Sequence, residues 1–226
     1  MDKKNYTLTD ISVIKKVMAD HDVPFSKGLG QNFLVNPTVC PRMAEAVRES
    51  TDGKIGVLEI GAGVGVLTKE LLERADKLLF MPDLLSYFLT GKKCGEYSIA
   101  TTSQLVDIRG RCWSDEICTA FGIPQNILPE IVKTGSVLGN LSDEICEELG
   151  VPSVPVISVA GHDTQSAVTA VPSLEKDFAF ISCGTWSLFG TETDTPIVNE
   201  ESLAFNITNE GGYNYTTAFL KNICGL

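Results

Sequence analysis

Residues 55–75 restrict most strongly what this chain can fold into. An apolar run at residues 55–60 (IGVLEI) has the composition of a buried strand, and three closely spaced glycines follow it, Gly61, Gly63 and Gly65. Residues 66–75 then have the apolar spacing of a helix. A buried strand, a glycine turn and a helix in this order form the first half of a doubly wound nucleotide-binding fold. The sequence therefore predicts an α/β protein.

Charge is distributed unevenly along the chain. The 226 residues carry a formal net charge of −11, yet residues 1–78 contain eleven basic and eleven acidic residues. The whole excess of negative charge therefore lies in residues 79–226. A charge of this sign argues against general affinity for nucleic acid. The abrupt change near residue 78 predicts two parts of different origin.

Composition argues against further classes of protein. No uncharged apolar run approaches the ~18–20 residues of a membrane-spanning helix, so no membrane partner is expected. The polar start of the chain (MDKKN) lacks the apolar segment of a secretory signal. Seven cysteines without a Cys-x-x-Cys pair, together with two histidines, argue against a metal site. We expect a reduced, cytoplasmic setting.

The glycine turn at residues 61–65 is a candidate ligand site. Glycines after a buried strand let the backbone approach a ligand, and the following helix contributes unpaired N–H groups. The phosphate-binding P-loop is excluded because no Gly-Lys-Ser/Thr follows, and Val66 occupies the third glycine position of the dinucleotide motif. From the residues alone, a tight structural turn is the alternative.

A motif about thirty residues upstream, residues 30–34 (GQNFL), adds to this interpretation. Together the two motifs resemble the N-terminus of the ribosomal RNA small-subunit adenine dimethyltransferases, over about residues 21–76. The resemblance implies a Rossmann-like methyltransferase segment that binds S-adenosylmethionine through Asn32, Leu34 and Gly61, with rRNA as the partner. It stops where Pro82 stands near the place of that family's ribose-binding acid, and the family's adenine-binding motif is absent. Methyl transfer by this chain is therefore not expected.

The rest of the chain predicts short helices and strands. Helices are predicted at residues 7–20, 37–50, 81–91, 114–121, 142–149 and 164–170, and strands at 156–160, 178–182 and 186–190. The run at residues 156–160 (VISVA) is mostly apolar, which predicts a buried strand. It leads directly into residues 161–164 (GHDT).

Two junctions in this region carry polar groups that suit phosphoryl transfer. Asp163 lies between a predicted strand and a helix, where a carboxylate can act as a general base on a hydroxyl. The turn at residues 182–187 (SCGTWS) offers hydroxyl and N–H groups to phosphate oxygens. The residues alone leave other roles open: a helix N-cap for Asp163, an ordinary polar position for His162 and a hairpin position for Thr185.

Longer motifs are more specific than these junctions. They lie at residues 79–84 (LFMPDL), 87–91 (YFLTG), 96–105 (EYSIATTSQL), 162–164 (HDT), 182–188 (SCGTWSL), 206–212 (NITNEGG) and 220–223 (LKNI). From about Leu78 onward they resemble the rhamnulokinases, bacterial sugar kinases of the superfamily that includes glycerol and xylulose kinases. The resemblance implies a two-domain actin/hexokinase-like (ribonuclease H-like) fold, and transfer of phosphate from ATP with Mg²⁺ to O1 of L-rhamnulose. It further implies that Asp163 is the catalytic base, that His162, Asp163 and Thr164 contact the sugar, and that Thr185 and Asn222 contact ATP.

The two resemblances together predict a chimera. Residues 1–76 would be the N-terminal part of a methyltransferase, residues 77–175 the later part of the first kinase domain, and residues 176–226 the start of the second. The phosphate-binding and adenosine-binding glycine turns of the kinase family have no counterpart in this sequence. We therefore expect a carbohydrate kinase fragment that is inactive as this chain. The alternative is an rRNA adenine dimethyltransferase fragment that binds S-adenosylmethionine.

Overall fold

The chain forms two compact units, Met1–Asp76 and Lys77–Leu226. The structure is a computed structural model that describes residues 9–20, 35–47, 57, 59, 65–72, 74–175, 177–184 and 186–225. Within those residues, no helix is long and apolar enough to span a membrane.

The first unit contains three helices in its described part. They are α1 (Ile11–Asp20), α2 (Val39–Ala46) and α3 (Val66–Leu72). Helix α2 begins later than predicted because Asn36 Oδ1 accepts hydrogen bonds of 2.9 Å from both the N–H and the hydroxyl of Thr38, which holds a turn before the helix. The strand predicted at residues 55–60 lies outside the described residues, except for residues 57 and 59.

The second unit alternates short helices and strands. Its described helices are α4 (Met81–Thr90), α5 (Tyr97–Thr102), α6 (Asp115–Phe121), α7 (Asp143–Leu149), α8 (Asp163–Thr169) and α9 (Glu200–Ala204). Its described strands are β1 (Cys94–Glu96), β2 (Val106–Asp107), β3 (Cys112–Trp113), β4 (Glu130–Val132), β5 (Val137–Asn140), β6 (Pro155–Ile157), β7 (Ala179–Cys183), β8 (Trp186–Thr193), β9 (Thr208–Gly211) and β10 (Thr217–Gly225).

Local sequence explains where several of these helices end. Helices α4, α6 and α7 are each followed by a glycine in the left-handed conformation, Gly91, Gly122 and Gly150, with φ values of 72°, 68° and 64°. A residue without a Cβ atom adopts this conformation at little cost. Helix α6 is capped by Ser114, whose hydroxyl accepts a hydrogen bond of 3.3 Å from the N–H of Ile117. The predictions of these three helices are confirmed to within a residue or two.

The largest sheet of the described residues is antiparallel and has the strand order β7-β8-β10-β9. Strand β1 pairs with β4 in parallel, and β5 pairs with β6 in antiparallel fashion. The prediction of a buried strand at residues 156–160 is confirmed in part, since a strand is present at Pro155–Ile157 and Ser158 and Ala160 are 4% and 8% exposed. Strand β6 is paired on one edge with β5, and Ile157 and Val159 are 54% and 69% exposed.

Helix α8 packs against the β7-β8-β10-β9 sheet. Val168 of α8 forms a buried cluster with Phe180, Ala218 and Leu220 of the sheet, and three apolar side chains pack around it, Val171, Phe178 and Leu188. Burial of this apolar surface is the main force that can hold so short a helix in place. The packing fixes the position of the first turn of α8, where the predicted catalytic residues lie.

Candidate functional site

The turn that leads into α8 makes close contacts with two other helices. A Cβ atom at Gly161 would lie 3.2 Å from both Pro82 Cβ and Ile99 Cγ2, and 3.3 Å from Glu96 Oε2. Glycine at this position therefore lets the backbone approach α4 and the start of α5. The turn is therefore packed against these elements rather than free on the surface.

Asp163 is the first residue of α8, and its side chain is 98% exposed. Its Oδ1 accepts a hydrogen bond of 2.7 Å from the N–H of Thr164. The N-cap of the helix is His162, whose side chain makes no capping hydrogen bond. Asp163 is therefore not the N-cap that its sequence position allowed. Its exposed carboxylate is open to a substrate hydroxyl and could accept the proton of that hydroxyl.

His162 lies between two carboxylates. Its Nδ1 is 2.9 Å from Glu210 Oε2, and its Nε2 is 3.6 Å from Asp163 Oδ1. The contact with Glu210, together with the charges of Glu210, Asp163 and Glu96, raises the pKa of the imidazole, although burial opposes this effect. Because the imidazole is 21% exposed, it is accessible to a ligand while its Nδ1 side is enclosed.

Glu96 connects the turn before α8 to the start of α5. Its carboxylate is buried and accepts hydrogen bonds from the N–H groups of Ser98, Ile99 and Gly161, at 2.9, 3.1 and 2.9 Å. It also accepts hydrogen bonds from the hydroxyls of Ser98 and Thr134. A buried carboxylate is tolerated when its oxygens have several donors of this kind. Glu96 therefore holds the backbone that carries His162 and Asp163.

A second buried carboxyl group, Asp83, lies beside Glu96. Its Oδ1 accepts a hydrogen bond of 2.9 Å from the N–H of Glu96, while its Oδ2 has no hydrogen-bond partner among the described residues. Both residues line a cavity of about 70 Å³ together with Cys94, Leu138 and Ser158. Burial, and then the charge of Glu96, raises the pKa of Asp83 to about 7, against the effect of its hydrogen bonds.

The raised pKa of Asp83 makes the stability of this unit depend on pH. Between the ordinary pKa of 3.8 and the folded value of about 7, the folded state binds more protons than the unfolded state. The contribution of Asp83 to the free energy of unfolding is therefore fully present at low pH and is lost as the pH rises through about 7. Asparagine at this position cannot ionise. We therefore expect the free energy of unfolding of Asp83→Asn, minus that of the parent, to increase by about 1–3 kcal/mol from pH 5 to pH 8.

This expectation can be checked by urea denaturation of the parent and Asp83→Asn at pH 5, 6, 7 and 8. Asp143→Asn, which removes an exposed carboxyl group from the start of α7, is the matched control, and its difference from the parent should stay small and nearly constant over this range. A difference between Asp83→Asn and the parent that stays constant over this range would contradict the prediction.

The structure brings together part of the predicted site. His162, Asp163 and Thr164 lie at the start of α8, with Thr164 buried. Asn222 is an exposed residue of β10 and pairs with Leu188 of β8. Four predicted ligand contacts lie outside the described residues: Asn32, Leu34, Gly61 and Thr185.

Sequence reasoning missed three acidic residues of this site, Asp83, Glu96 and Glu210. All three occur in motifs that supported the resemblance, but no pattern in those motifs shows that the acids are enclosed. One signal was available: Glu96 directly precedes the residues that form α5, which is where a helix-capping carboxylate is expected. Glu210 has no such local signal.

Two family models match different parts of the chain, as the two resemblances in the sequence predicted. Residues 67–170 match the model of the FGGY family of carbohydrate kinases, N-terminal domain. Residues 24–81 give a shorter match to the model of ribosomal RNA adenine dimethylase. The first match contains the turn at residues 161–164.

Individual relatives extend the kinase match. A rhamnulokinase of Bacteroides thetaiotaomicron is 50% identical over 155 residues, which cover 69% of this chain and 32% of that protein. A rhamnulokinase of Bacillus subtilis is 40% identical over 158 residues, covering 70% and 33%. Most of this chain is similar to rhamnulokinases. It spans about a third of the length of the curated relatives that it matches.

Solved structures show the fold of the kinase-like part. A carbohydrate kinase from Novosphingobium aromaticivorans matches with a TM-score of 0.58 at 22% identity, over 74% of this chain and 38% of that chain. A xylulose kinase from Rhodospirillum rubrum matches with a TM-score of 0.57 at 14% identity, over 84% and 35%. The predicted sugar-kinase fold, mixed α/β and actin/hexokinase-like, is confirmed for the part that matches. These comparisons do not confirm a methyltransferase fold for the first unit.

Proposed function

We propose that residues 77–226 are part of a carbohydrate kinase that transfers a phosphoryl group from ATP to O1 of L-rhamnulose. The observation that carries this proposal is the 50% identity to a rhamnulokinase over 155 residues. The family match at residues 67–170 includes Asp163, whose carboxylate is exposed at the start of α8. Residues 77–175 would belong to the first domain of that kinase, and residues 176–226 to the second.

Asp163 is the catalytic base in this proposal. Phosphoryl transfer requires mainly that the acceptor hydroxyl and the phosphate be positioned, and that the proton of the hydroxyl be removed. The exposed Asp163 carboxylate accepts that proton, and the hydrogen bond from the N–H of Thr164 orients it. His162, which flanks it, would contact the sugar together with Thr164.

ATP with its Mg²⁺ supplies the transferred group. We propose that the turn between β7 and β8, which contains Thr185, binds ATP together with Asn222. One feature of the structure supports this fit: apart from its chain neighbours, no atom of the described residues lies within 4 Å of where a Cβ atom at Gly184 would be. The turn therefore has free space in which a phosphate could lie against its backbone.

A hybrid enzyme tests the proposal. Because this chain spans about a third of its relatives, residues 77–225 would replace the matching segment of the Bacteroides thetaiotaomicron rhamnulokinase. We expect this hybrid kinase to form ADP from Mg-ATP in the presence of L-rhamnulose, and more slowly with D-xylulose or glycerol. The measurement is a coupled ADP assay, with a reaction lacking sugar as the control. A hybrid that is folded by circular dichroism but forms no ADP with L-rhamnulose would overturn the proposal.

A second candidate function concerns the first unit. We infer from the match of residues 24–81 to ribosomal RNA adenine dimethylase that this unit could bind S-adenosylmethionine through Asn32, Leu34 and Gly61. Calorimetry of the chain with S-adenosylmethionine tests this inference, with ATP as the comparison ligand. Absence of both heat and a thermal shift with S-adenosylmethionine would remove the candidate.

The rRNA partner and the chimeric origin stay predictions. Sequencing the source DNA across the codons for residues 67–81 tests the chimeric origin.

A further inference from the structure

Glu210 is the residue on which a further inference about this site rests. It lies on β9, 48 residues away from His162 in the chain, and its side chain is 13% exposed. Its Oε2 lies 2.9 Å from His162 Nδ1 and accepts a hydrogen bond of 3.3 Å from Gln165 Nε2. The carboxylate thus contacts two residues of the same helical turn, one on each side of Asp163 and Thr164.

The backbone that carries Glu210 is itself held in place. The next residue, Gly211, donates its N–H to the hydroxyl of Thr101 in α5 at 2.9 Å. A Cβ atom at Gly211 would overlap the ring of Tyr97, so β9 lies directly against α5. On its other side β9 pairs with β10. Glu210 therefore approaches His162 from a fixed position.

The chemistry of the contact determines which ring nitrogen carries a proton. An ionised carboxylate can only accept hydrogen bonds, so a close contact between Glu210 and Nδ1 is favourable only when Nδ1 is protonated. A mostly buried carboxylate is also stabilised by a positive partner, which favours the doubly protonated imidazolium. With Nδ1 turned to Glu210, the other nitrogen, Nε2, lies 3.6 Å from Asp163 Oδ1.

We propose that Glu210 is a positioning residue that keeps His162 in the imidazolium form, with its Nε2–H directed toward Asp163. In this arrangement the imidazolium orients the exposed carboxylate of Asp163 toward the position from which it can act as a general base. The inference rests on the function proposed above for Asp163. The charged groups that face the His162 ring are Glu210 of β9, Asp163 of α8 and Glu96 at the end of β1.

The first test is nuclear magnetic resonance of the 226-residue chain, and it does not depend on activity. The chain contains two histidines, so a His21→Gln background leaves His162 as the single source of imidazole signals. The ¹⁵N shifts of both ring nitrogens are followed between pH 5 and pH 9. We expect Glu210→Gln to lower the pKa of His162 by about one to two units, a ten- to hundredfold loss of proton affinity. In the neutral imidazole of this variant, we also expect Nδ1 no longer to carry the proton.

Glu144→Gln is the matched control because it removes the same charge from an exposed position on α7. It should leave the pKa of His162 unchanged. The unfolding midpoints of both variants are measured, so that a loss of folding in Glu210→Gln is recognised; Glu210→Asp then replaces it and should lower the pKa by less. A folded Glu210→Gln whose His162 titrates as in the parent would overturn the proposal.

The second test links the imidazolium to the reaction. In the hybrid kinase, Glu210→Gln should move the alkaline limb of the kcat profile to lower pH by the shift measured for His162. A lower kcat at all pH values with no movement of that limb would contradict the proposed role. If the parent hybrid is inactive, the proposed function fails, whereas the magnetic resonance test still decides whether Glu210 controls His162.

Discussion

Replacing Asp163 by asparagine in the hybrid kinase is expected to lower kcat by about 10²- to 10⁴-fold, the range typical of a lost general base. Asparagine has nearly the shape of aspartate and can still accept the hydrogen bond from the N–H of Thr164. It cannot take a proton from a sugar hydroxyl. Because the side chain is 98% exposed, the substitution should leave folding unchanged. The KM for L-rhamnulose should change much less than kcat. The measurement is steady-state ADP formation with varied L-rhamnulose.

Asp143→Asn provides the control for this experiment. Asp143 is the first residue of α7, as Asp163 is the first residue of α8, and both helices have seven residues. If Asp163 only placed a favourable negative charge at the start of its helix, the two substitutions would have similar small effects, of about 0.3–1 kcal/mol on stability. We expect Asp143→Asn to retain the kcat of the parent hybrid. Equal activities of the two variants would exclude Asp163 as the base.

Gly190→Ala is expected to destabilise the second unit by about 3 kcal/mol or more, at the upper end of the effects of overpacking. Gly190 lies in the middle of β8, between Phe180 of β7 and Leu220 of β10. An added Cβ atom would lie 2.6 Å from the carbonyl oxygen of Phe219 and 2.9 Å from Leu220 Cα. Because these are backbone atoms of a paired strand, no side-chain rotation can relieve the contact. The measurement is urea denaturation followed by circular dichroism.

Gly184→Ala is the matched control for this substitution. Gly184 lies just before β8, and a Cβ atom there would lie more than 4 Å from every described residue other than its chain neighbours. We expect its unfolding free energy to stay within about 0.5 kcal/mol of the parent, as for an uncrowded surface site. If Gly190→Ala were no less stable than Gly184→Ala, the close packing of β8 against β10 would be wrong.

The helix ends of the second unit were predictable because their causes are local. Gly91, Gly122 and Gly150 follow apolar periodic segments, and a glycine in that position ends a helix whatever lies elsewhere in the fold. The strand at residues 156–160 was predicted to be buried because apolar composition alone was considered. Its burial depends on which faces other elements cover: Ser158 and Ala160 are buried, whereas Ile157 and Val159 are exposed.

Asp163 and its neighbours were identified from sequence because their motif is contiguous. The sequence by itself thus determined the kinase resemblance, the position of the proposed base and the change of character near residue 78. The tertiary structure alone showed that Glu96 binds the N–H of Gly161 and that Glu210 contacts His162, across separations of 65 and 48 residues. It also showed that Asp83 is buried beside Glu96. Burial and charge pairing arise when distant segments pack together, and no local pattern records which acids will be enclosed.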